Sequence, residues 1–219
     1  MTRPDSASPA AIDQAFDAAA RKMVAAKVKR AIDIVGAGIG LVTLAPFLLF
    51  LMAAIRIESP GNAIFRQRRS GYLGATFNIY KFRTMRVVED GPTIVQAKRG
   101  DERITGLGRM MRRTSLDELP QLINVLLGEM SLIGPRPHAL AHDEYYGAVI
   151  ADYDARFKVR PGITGLAQVS GLRGPTEEIS AMAARVEKDL EYIRSWTLVL
   201  DFKILFKTLA IFAFHDAAH

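Results

Sequence analysis

The stretch that decides the fold is IVGAGIGLVTLAPFLLFLMAAI, residues 34–55, because none of its 22 residues carries a charge. A run of about 20 apolar residues is long enough for a helix to cross a bilayer. The run exceeds the roughly 7–15 apolar residues of a signal peptide and lies behind a polar stretch, so we expect it to stay in the protein. Burial in the core of a soluble domain is the alternative interpretation.

Basic residues flank this apolar run on both sides. They are Arg21, Lys22, Lys27, Lys29 and Arg30 before it, and Arg56, Arg66, Arg68 and Arg69 after it. Lysine and arginine are enriched in cytoplasmic segments, so both ends are expected in the cytoplasm. Pro46 removes a backbone donor near the middle of the run and clashes with the preceding turn. We therefore predict a re-entrant helix-break-helix hairpin that breaks at Pro46, with a kinked membrane-spanning helix as the alternative.

A second membrane contact is predicted near the C-terminus. Residues 196–214 are rich in leucine, isoleucine and phenylalanine but include Asp201, Lys203 and Lys207. This mixture favours a helix that lies in the membrane interface, with Trp196 and the lysines at the level of the headgroups. Packing of the same helix against the protein's own core is an equally good interpretation.

Composition limits the kinds of protein that this chain can be. With 219 residues, 49% of them hydrophobic, the chain is long enough for one catalytic unit with a core of ordinary size. Cysteine is absent, which excludes disulfides and thiolate metal sites. The net charge of +6 indicates an anionic partner, either nucleic acid, a phosphorylated substrate or an acidic membrane surface.

The soluble part begins with a predicted β-hairpin. Residues 64–68 and 77–83 have the composition of strands, and the turn residues Ser-Gly-Tyr-Leu-Gly at 70–74 connect them. Side chains two residues apart share a strand face, so Lys81 and Arg83 are expected to project together. The cationic surface that results either touches lipid headgroups or binds phosphate.

A second set of arginines favours the phosphate interpretation. Arg112 and Arg113 begin the set, and Arg136 follows in the segment Gly-Pro-Arg-Pro at 134–137. Proline on each side stiffens the backbone and biases Arg136 to an extended conformation. A rigidly held guanidinium suits phosphate oxygens. An arginine that binds backbone carbonyls is the alternative.

The segment TSLDELP, residues 114–120, lies between these basic groups and precedes an apolar helical stretch. As a structural motif, Ser115 and Glu118 form a capping box, and Asp117 complements the positive end of the helix. As a chemical motif, Asp117 is ringed by cations, keeps a low pKa and stays ionised as a nucleophile toward phosphorus. Glu118 is then free to bind Mg²⁺, which takes one or two carboxylates together with substrate phosphates. The two interpretations are compatible.

Six motifs in a fixed order resemble the monotopic polyprenyl-phosphate phosphoglycosyl transferases over about residues 27–212. They are Lys29-Arg30 with Asp33, FRQR at 65–68, KFRTM at 81–85, TSLDELPQ at 114–121, SLIGPRP at 131–137 and PGITGLAQV at 161–169. Residues 135–144, 171–174 and 187–196 are similar to the branch of this family that primes exopolysaccharides with glucose 1-phosphate.

The resemblance implies an α+β, mainly helical fold. A re-entrant membrane hairpin is joined to a small catalytic domain with a β-hairpin and amphipathic interfacial helices. The expected division is a polar, helical N-terminal extension at 1–26, the hairpin at 27–58 and the catalytic domain at 59–219. The expected location is the bacterial inner membrane, with the catalytic domain on the cytoplasmic face. Relatives in this branch commonly carry a large N-terminal region with further membrane helices, whereas only residues 1–26 precede the hairpin here. A homodimer is left open.

The resemblance also implies a ping-pong transfer. Asp117 attacks the β-phosphorus of a UDP-sugar and expels UMP, and undecaprenyl phosphate then takes the sugar phosphate from Asp117. Glu118 matches the position that binds Mg²⁺. The residues that match or lie near substrate- and phosphate-binding positions of the family are Lys81, Arg83, Arg136, Arg112, Arg66 and Gln168.

Two questions stay open at the level of sequence. The branch resemblance predicts UDP-glucose as donor, with UDP-galactose or an N-acetylated UDP-sugar as alternatives. A protein of another class, a non-catalytic membrane-anchored protein with a basic binding surface, fits the charge as well. Binding of nucleic acid would require stacking aromatics among the cations, whereas the aromatic residues of the hairpin alternate as core, so we expect no nucleic acid partner.

Overall fold

The computed structural model describes residues 9–86, 101–174 and 178–214 and is mainly helical. The elements in chain order are α1 (Pro9–Ala25), α2 (Lys27–Glu58), β1 (Ile64–Ser70), β2 (Thr76–Phe82), α3 (Gly106–Thr114), α4 (Gln121–Leu127), β3 (Ser131–Ile133), α5 (Leu140–Val149), β4 (Gly162–Thr164), α6 (Leu166–Val169), α7 (Ile179–Arg194) and α8 (Leu198–Phe214). Short 3₁₀ turns lie at Tyr72–Gly74, Leu116–Glu118 and Tyr153–Lys158. The predicted class, mainly helical with a small sheet, is confirmed.

Helix α2 contains the apolar run, and it is long and apolar enough to cross a membrane. The helix is continuous from Lys27 to Glu58, and Pro46 lies inside it. The structure therefore does not divide α2 into two separate helices at Pro46. Its buried residues are Lys29, Asp33, Ala37, Leu51 and Ile55. All residues from 38 to 50 are partly or fully exposed. The fully buried residues of α2 therefore lie toward its two ends, while the residues between 38 and 50 remain at least partly exposed.

The first arm of α2, residues 27–45, is bound to the domain by buried polar contacts. The carboxylate of Asp33 accepts hydrogen bonds from Ser131 Oγ at 2.8 Å and from the Leu132 amide at 3.0 Å. Lys29 Nζ lies 2.7 Å from Asp201 Oδ2. Paired and hydrogen-bonded in this way, these charges can be buried. Lys29, one of the basic residues from which the topology was predicted, thus has a structural partner.

The second arm of α2, residues 47–58, packs on the part of the domain that carries the dyad Asp117–Glu118. Leu51 and Ile55 are almost fully buried in a cluster with Phe82 and Met111. Leu116, which directly precedes Asp117, packs against the same cluster. The turn that holds the predicted nucleophile is therefore attached to the apolar helix by direct packing.

The predicted β-hairpin is present. Strands β1 and β2 pair antiparallel, with Ile64 opposite Phe82 and Phe65 opposite Lys81. The inward side chains of β2, Phe77 and Ile79, are buried. The alternation of buried and exposed residues in β2 explains why the sequence pattern identified this hairpin.

A second, parallel sheet of two short strands was not predicted. Ser131 pairs with Gly162 and Ile133 with Thr164. The backbone of β4 and the residue after β3 approach so closely that a Cβ atom at Gly162 would lie 2.1 Å from the Gly134 amide nitrogen. Only glycine permits this approach, which fixes the start of the Gly-Pro-Arg-Pro segment against β4.

Helix α8 has one face on the core and one face exposed. Asp201, Ile204 and Thr208 are buried, while Phe206 on the opposite side is 66% exposed. The buried face confirms that α8 packs against the protein's own core. The exposed apolar face is compatible with an interfacial helix, and membrane contact of α8 stays a prediction. The expectation that Trp196 lies at the headgroups is wrong, because its ring is buried and its Nε1 donates to Asp201 Oδ2 at 3.1 Å.

Candidate active site

The dyad lies in the 3₁₀ turn Leu116–Glu118, between α3 and α4. Ser115 ends α3 in the left-handed conformation, with φ of 53°, and its side chain makes no capping hydrogen bond. The predicted capping box of Ser115 and Glu118 is therefore wrong. The chain turns sharply at Ser115, which directs the carboxylate of Glu118 toward the β-hairpin instead of back along a helix.

Glu118 is held by two cations from distant parts of the chain. Lys81 Nζ lies 2.7 Å from its Oε1, and Arg136 Nη1 donates to its Oε2 at 2.9 Å. Arg136 Nη2 also bonds Oε1, so this guanidinium binds the carboxylate in a bidentate manner. Burial opposes ionisation, but Arg136 and Lys81 outweigh it and hold the pKa of Glu118 well below its usual range.

Asp117 has a different environment, although it is the next residue. Its side chain is buried and accepts no hydrogen bond from any residue that the structure describes. Burial raises the pKa of Asp117 to about 6, with Lys81 opposing the shift and the charge of Glu118 adding to it. The prediction of a low pKa is wrong, because desolvation outweighs the cations, which bind Glu118 instead.

Lys81 and Arg136 are the cations closest to the dyad, and both were predicted from the sequence. The pKa of Lys81 is lowered by burial and by Arg136, while Glu118 opposes the shift. The charge of Glu118 raises the pKa of Arg136. The sequence did not identify Arg173 as a site residue. Burial and the charge of Arg136 lower the pKa of Arg173, and the charge of Glu118 opposes this shift. Arg173 therefore lies close to Arg136 and Glu118. Its segment, Gly-Leu-Arg-Gly, was noted only as a branch motif.

Arg136 is positioned by a buried ion pair that the sequence analysis did not identify. Arg156 Nη2 donates to the Arg136 carbonyl oxygen at 2.6 Å, and Arg156 Nε donates to Asp189 Oδ2 at 2.9 Å. Arg156 and Asp189 are both almost fully buried. Because these residues are far from Arg136 in the chain, no local pattern could have revealed the contact.

Arg112 and Arg83 form their hydrogen bonds with residues other than the dyad. Arg112 Nε donates to Thr84 Oγ1 at 2.8 Å, and its charge acts to lower the pKa of Asp117. Arg83 is buried, and its guanidinium donates to the carbonyl oxygens of Ser59 and Pro60. Arg83 thus connects the end of β2 to the loop that follows α2.

The structure shows no contact between the dyad and either Arg66 or Gln168. Arg66 is exposed, with its guanidinium carbon 5.4 Å from the centre of the Tyr80 ring. Gln168 is buried, and its Nε2 donates to the Ile163 carbonyl oxygen at 2.9 Å. Its Oε1 is buried without a hydrogen-bond partner.

The dyad has the oxygen atoms that a Mg²⁺ ion would need. Within residues 9–86, 101–174 and 178–214 there is no cluster of three or more His, Asp or Glu side chains. Mg²⁺ does not require one, because it keeps several waters and binds one or two carboxylates plus substrate phosphates. Glu118 Oε2 accepts one hydrogen bond and Asp117 accepts none from the described residues. Both residues therefore retain free lone pairs, and the site fits the ion.

A small domain on an apolar helix, with two carboxylates among lysine and arginine side chains, is typical of a membrane-associated transferase that acts on phosphate groups. Residues 24–215 match the family described as bacterial sugar transferase. The chain belongs to this family.

Three relatives show how far the similarity extends. The UDP-glucose:undecaprenyl-phosphate glucose-1-phosphate transferase of Caulobacter vibrioides is 53% identical over 87% of this chain and 72% of its own length. The Escherichia coli protein of the same name is 50% identical over 83% of this chain, which spans 39% of that protein. The exopolysaccharide production protein PSS of Rhizobium leguminosarum is 45% identical over 83% of this chain and 93% of its own length.

Proposed function

We propose that this chain transfers glucose 1-phosphate from UDP-glucose to undecaprenyl phosphate and releases UMP, as the first membrane step of exopolysaccharide biosynthesis. The observation that carries the proposal is the pair of adjacent carboxylates, a buried Asp117 and a partly buried Glu118, of which Glu118 is bound by two cations and Asp117 by none. The names of the relatives supply the donor, the acceptor and the process.

The reaction proceeds in two displacements at one phosphorus atom. A carboxylate oxygen of Asp117 forms a bond to the β-phosphorus of UDP-glucose, and the bond from that phosphorus to the oxygen of UMP breaks. A phosphate oxygen of undecaprenyl phosphate then attacks the same phosphorus and releases Asp117. Covalent catalysis of this kind divides one difficult transfer into two easier steps.

The environment of Asp117 suits a nucleophile. With a pKa of about 6, the carboxyl is mostly ionised at neutral pH and more basic than an ordinary aspartate. It has no hydrogen-bond donor from the described residues to displace before it attacks. In the proposed reaction Lys81 and Arg136, which bind Glu118, would also bind the phosphate oxygens of the donor.

Mg²⁺ is the cofactor that we propose for this site. Glu118 would hold the ion together with the donor phosphates. When bound, Mg²⁺ supplies positive charge that neutralises the diphosphate and the leaving UMP. Lys81 and Arg136 keep Glu118 ionised, since the pKa of Glu118 lies well below its usual range.

The proposed location is the cytoplasmic face of the bacterial inner membrane, with α2 re-entering the leaflet from which it came. One observation supports this re-entrant path. Ala37 and Ile55 are separated by 18 residues, about 27 Å along a straight helix, yet both are buried against the same domain. A straight span would carry the two arms to opposite sides of an apolar layer about 30 Å thick. The homodimer stays a prediction.

A panel of donors tests the proposed function. Purified protein in lipid nanodiscs is given undecaprenyl phosphate, Mg²⁺ and one UDP-sugar at a time, and UMP is measured. We expect the highest kcat/KM for UDP-glucose and no release by Asp117→Asn. Faster turnover of UDP-galactose or an N-acetylated sugar would refute the donor while leaving the reaction intact. Absence of UMP with every donor would refute the function and favour a basic binding protein.

A further inference from the structure

The outer edge of strand β2 is bound by a side chain of α4. Among the residues that the structure describes, β2 has a single strand neighbour, β1. The carbonyl of Asn78 and the amide of Tyr80 point to the same side of the strand, because the hydrogen-bonding groups of successive residues alternate between its two edges. Asn124 binds both groups. Its Nδ2 donates to the Asn78 carbonyl oxygen at 2.7 Å, and its Oδ1 accepts from the Tyr80 amide at 3.0 Å. One carboxamide thus takes the place of a neighbouring strand.

The carboxamide of Asn124 fits this place in one orientation. Its Nδ2 also donates to Glu129 Oε2 at 2.7 Å, so both of its N–H donors are used. Rotation of the amide by half a turn would place Oδ1 against the Asn78 carbonyl oxygen and the Glu129 carboxylate, which are both acceptors. The side chain of Asn124 is fully buried, at 0% exposure. Loss of its contacts would therefore leave buried polar groups unpaired, which is costly.

Apolar packing brings α4 and β2 together, but it does not fix how they are aligned. Val125, the next residue of α4, packs with Phe77 and Ile79 of β2 in one buried cluster. Apolar contacts of this kind are not directional. The two hydrogen bonds of Asn124 are directional, and they require residues 78 and 80 to lie opposite it. Asn124 therefore sets the register of β2 against α4.

This register controls the distance between two groups of the candidate site. Lys81 directly follows Tyr80, and its Nζ lies 2.7 Å from Glu118 Oε1. Only two residues separate the 3₁₀ turn of the dyad from the start of α4. The contact of Asn124 with β2 and the contact of Lys81 with Glu118 thus join the same two segments of the chain. A shift of β2 along α4 would move the base of the lysine side chain away from the dyad.

We infer that Asn124 is a positioning residue for the transfer, because its carboxamide fixes the edge of β2 and so holds the ammonium group of Lys81 at the dyad. The inference rests on the proposed function, in which Lys81 binds the donor phosphates. A lysine side chain is flexible, so a fixed backbone at its base limits where its charge can lie. Asn124 lies just beyond the TSLDELPQ motif, and the motifs did not single it out.

A double-mutant cycle tests whether Asn124 acts through Lys81. The measured quantity is the rate constant for transfer of hexose phosphate from saturating UDP-glucose to the protein, in a single turnover without acceptor. A misplacement of about 1 Å can lower a rate on the order of 100-fold, so we expect Asn124→Ser to lower this rate constant at least about tenfold. The fraction of protein that reacts should not change, whereas partial unfolding would lower that fraction and leave the rate constant. In a Lys81→Met background, Asn124→Ser should change the rate constant less than about twofold.

Val125→Ala is the matched control, because Val125 is also fully buried between α4 and β2 but its side chain forms no hydrogen bond. This control should lower Tm and leave the rate constant unchanged. An equal loss of rate in Val125→Ala would assign the effect to packing and overturn the inference. Independent, multiplying effects of Asn124→Ser and Lys81→Met would overturn it too, since Asn124 would then not act through Lys81.

Hydrogen exchange tests the edge contact without donor. In protein labelled with ¹⁵N-tyrosine, the Tyr80 amide should be protected, and Asn124→Ser should speed its exchange about tenfold or more. If this variant does not fold, Asn124→Thr, which fills more of the same space, takes its place in both measurements. Unchanged exchange of the Tyr80 amide would overturn the inference. Failure of the wild type to react with UDP-glucose, with Tyr80 protected, would refute the proposed function and the positioning role while leaving the edge contact established.

Discussion

The ammonium nitrogen of Lys81 lies 2.7 Å from Oε1 of Glu118 and directs its charge at the second carboxylate of the dyad. Arg136 binds the same carboxylate, and the pKa of Glu118 is held well below its usual range. Asp117, buried and without such a partner, has its pKa raised to about 6. Environments that separate the pKa values of two neighbouring carboxyls commonly assign them different roles.

The pH dependence of the first half-reaction should follow the ionisation of Asp117. The carboxyl must lose its proton to attack phosphorus, so the rate of UMP release without acceptor should rise through about pH 6 and level off above it. Removal of the negative charge in Glu118→Gln should move the midpoint of the residual rate to lower pH, because Glu118 contributes to the raised pKa. A rate that does not change across this range would contradict the assignment.

The same pKa predicts an effect on stability. The folded-state pKa of about 6 lies above the ordinary value of 3.8, so the stabilising contribution of this carboxyl is complete below pH 3.8 and is lost as pH rises through 6. Asp117→Asn should therefore be more stable than wild type at neutral pH, by about 3 kcal/mol, and show little difference in acid. Thermal unfolding of donor-free protein at several pH values measures this. A lower Tm for the variant at neutral pH would indicate a structural role for Asp117.

A pair of glycine substitutions tests how the Arg136 loop is built. Gly162→Ala should destabilise the protein and lower activity, because the new Cβ would lie 2.1 Å from the backbone of Gly134. Gly38→Ala in α2 is the control, since a Cβ there has no atom within 4 Å. This control should be neutral or gain up to about 1 kcal/mol from helix propensity. Equal effects of the two substitutions on Tm and on UMP release would show that the close approach is unimportant.

Cysteine labelling in intact cells tests whether α2 re-enters the membrane. The chain has no cysteine, so Asp13→Cys before the helix and Leu73→Cys after it give signals without background. Both positions are exposed. An impermeant thiol reagent should label neither in intact cells and both after permeabilisation. Labelling of one position alone in intact cells would establish a true span and refute the bend at Pro46.

Local sequence patterns were sufficient for the features that depend on neighbouring residues. The uncharged run at 34–55 identified the apolar helix, and the alternation in 77–83 identified the hairpin, because each pattern has the period of its element. Lys81, Arg136 and the dyad were chosen by chemical type and by family motif. The structure brings these four residues together.

The remaining features depend on contacts between distant residues. The pKa of Asp117 depends on whether Lys81 and Arg136 point toward Asp117 or toward Glu118. The sequence does not show in which direction these two side chains point. The Arg156–Asp189 pair that holds the Arg136 loop spans 33 residues. The role of Trp196 was misjudged for the same reason, since its partner Asp201 accepts its hydrogen bond only after α8 has packed on the core.

The mass of the protein after incubation with UDP-glucose and Mg²⁺, in the absence of acceptor, shows whether Asp117 is the nucleophile. The wild type should gain the mass of one hexose phosphate, on the peptide that contains Asp117, and lose it again when undecaprenyl phosphate is added. Asp117→Asn should fold, bind UDP-glucose and gain no mass. A hexose phosphate on another residue, or normal UMP release by Asp117→Asn, would contradict the central claim that Asp117 is the nucleophile.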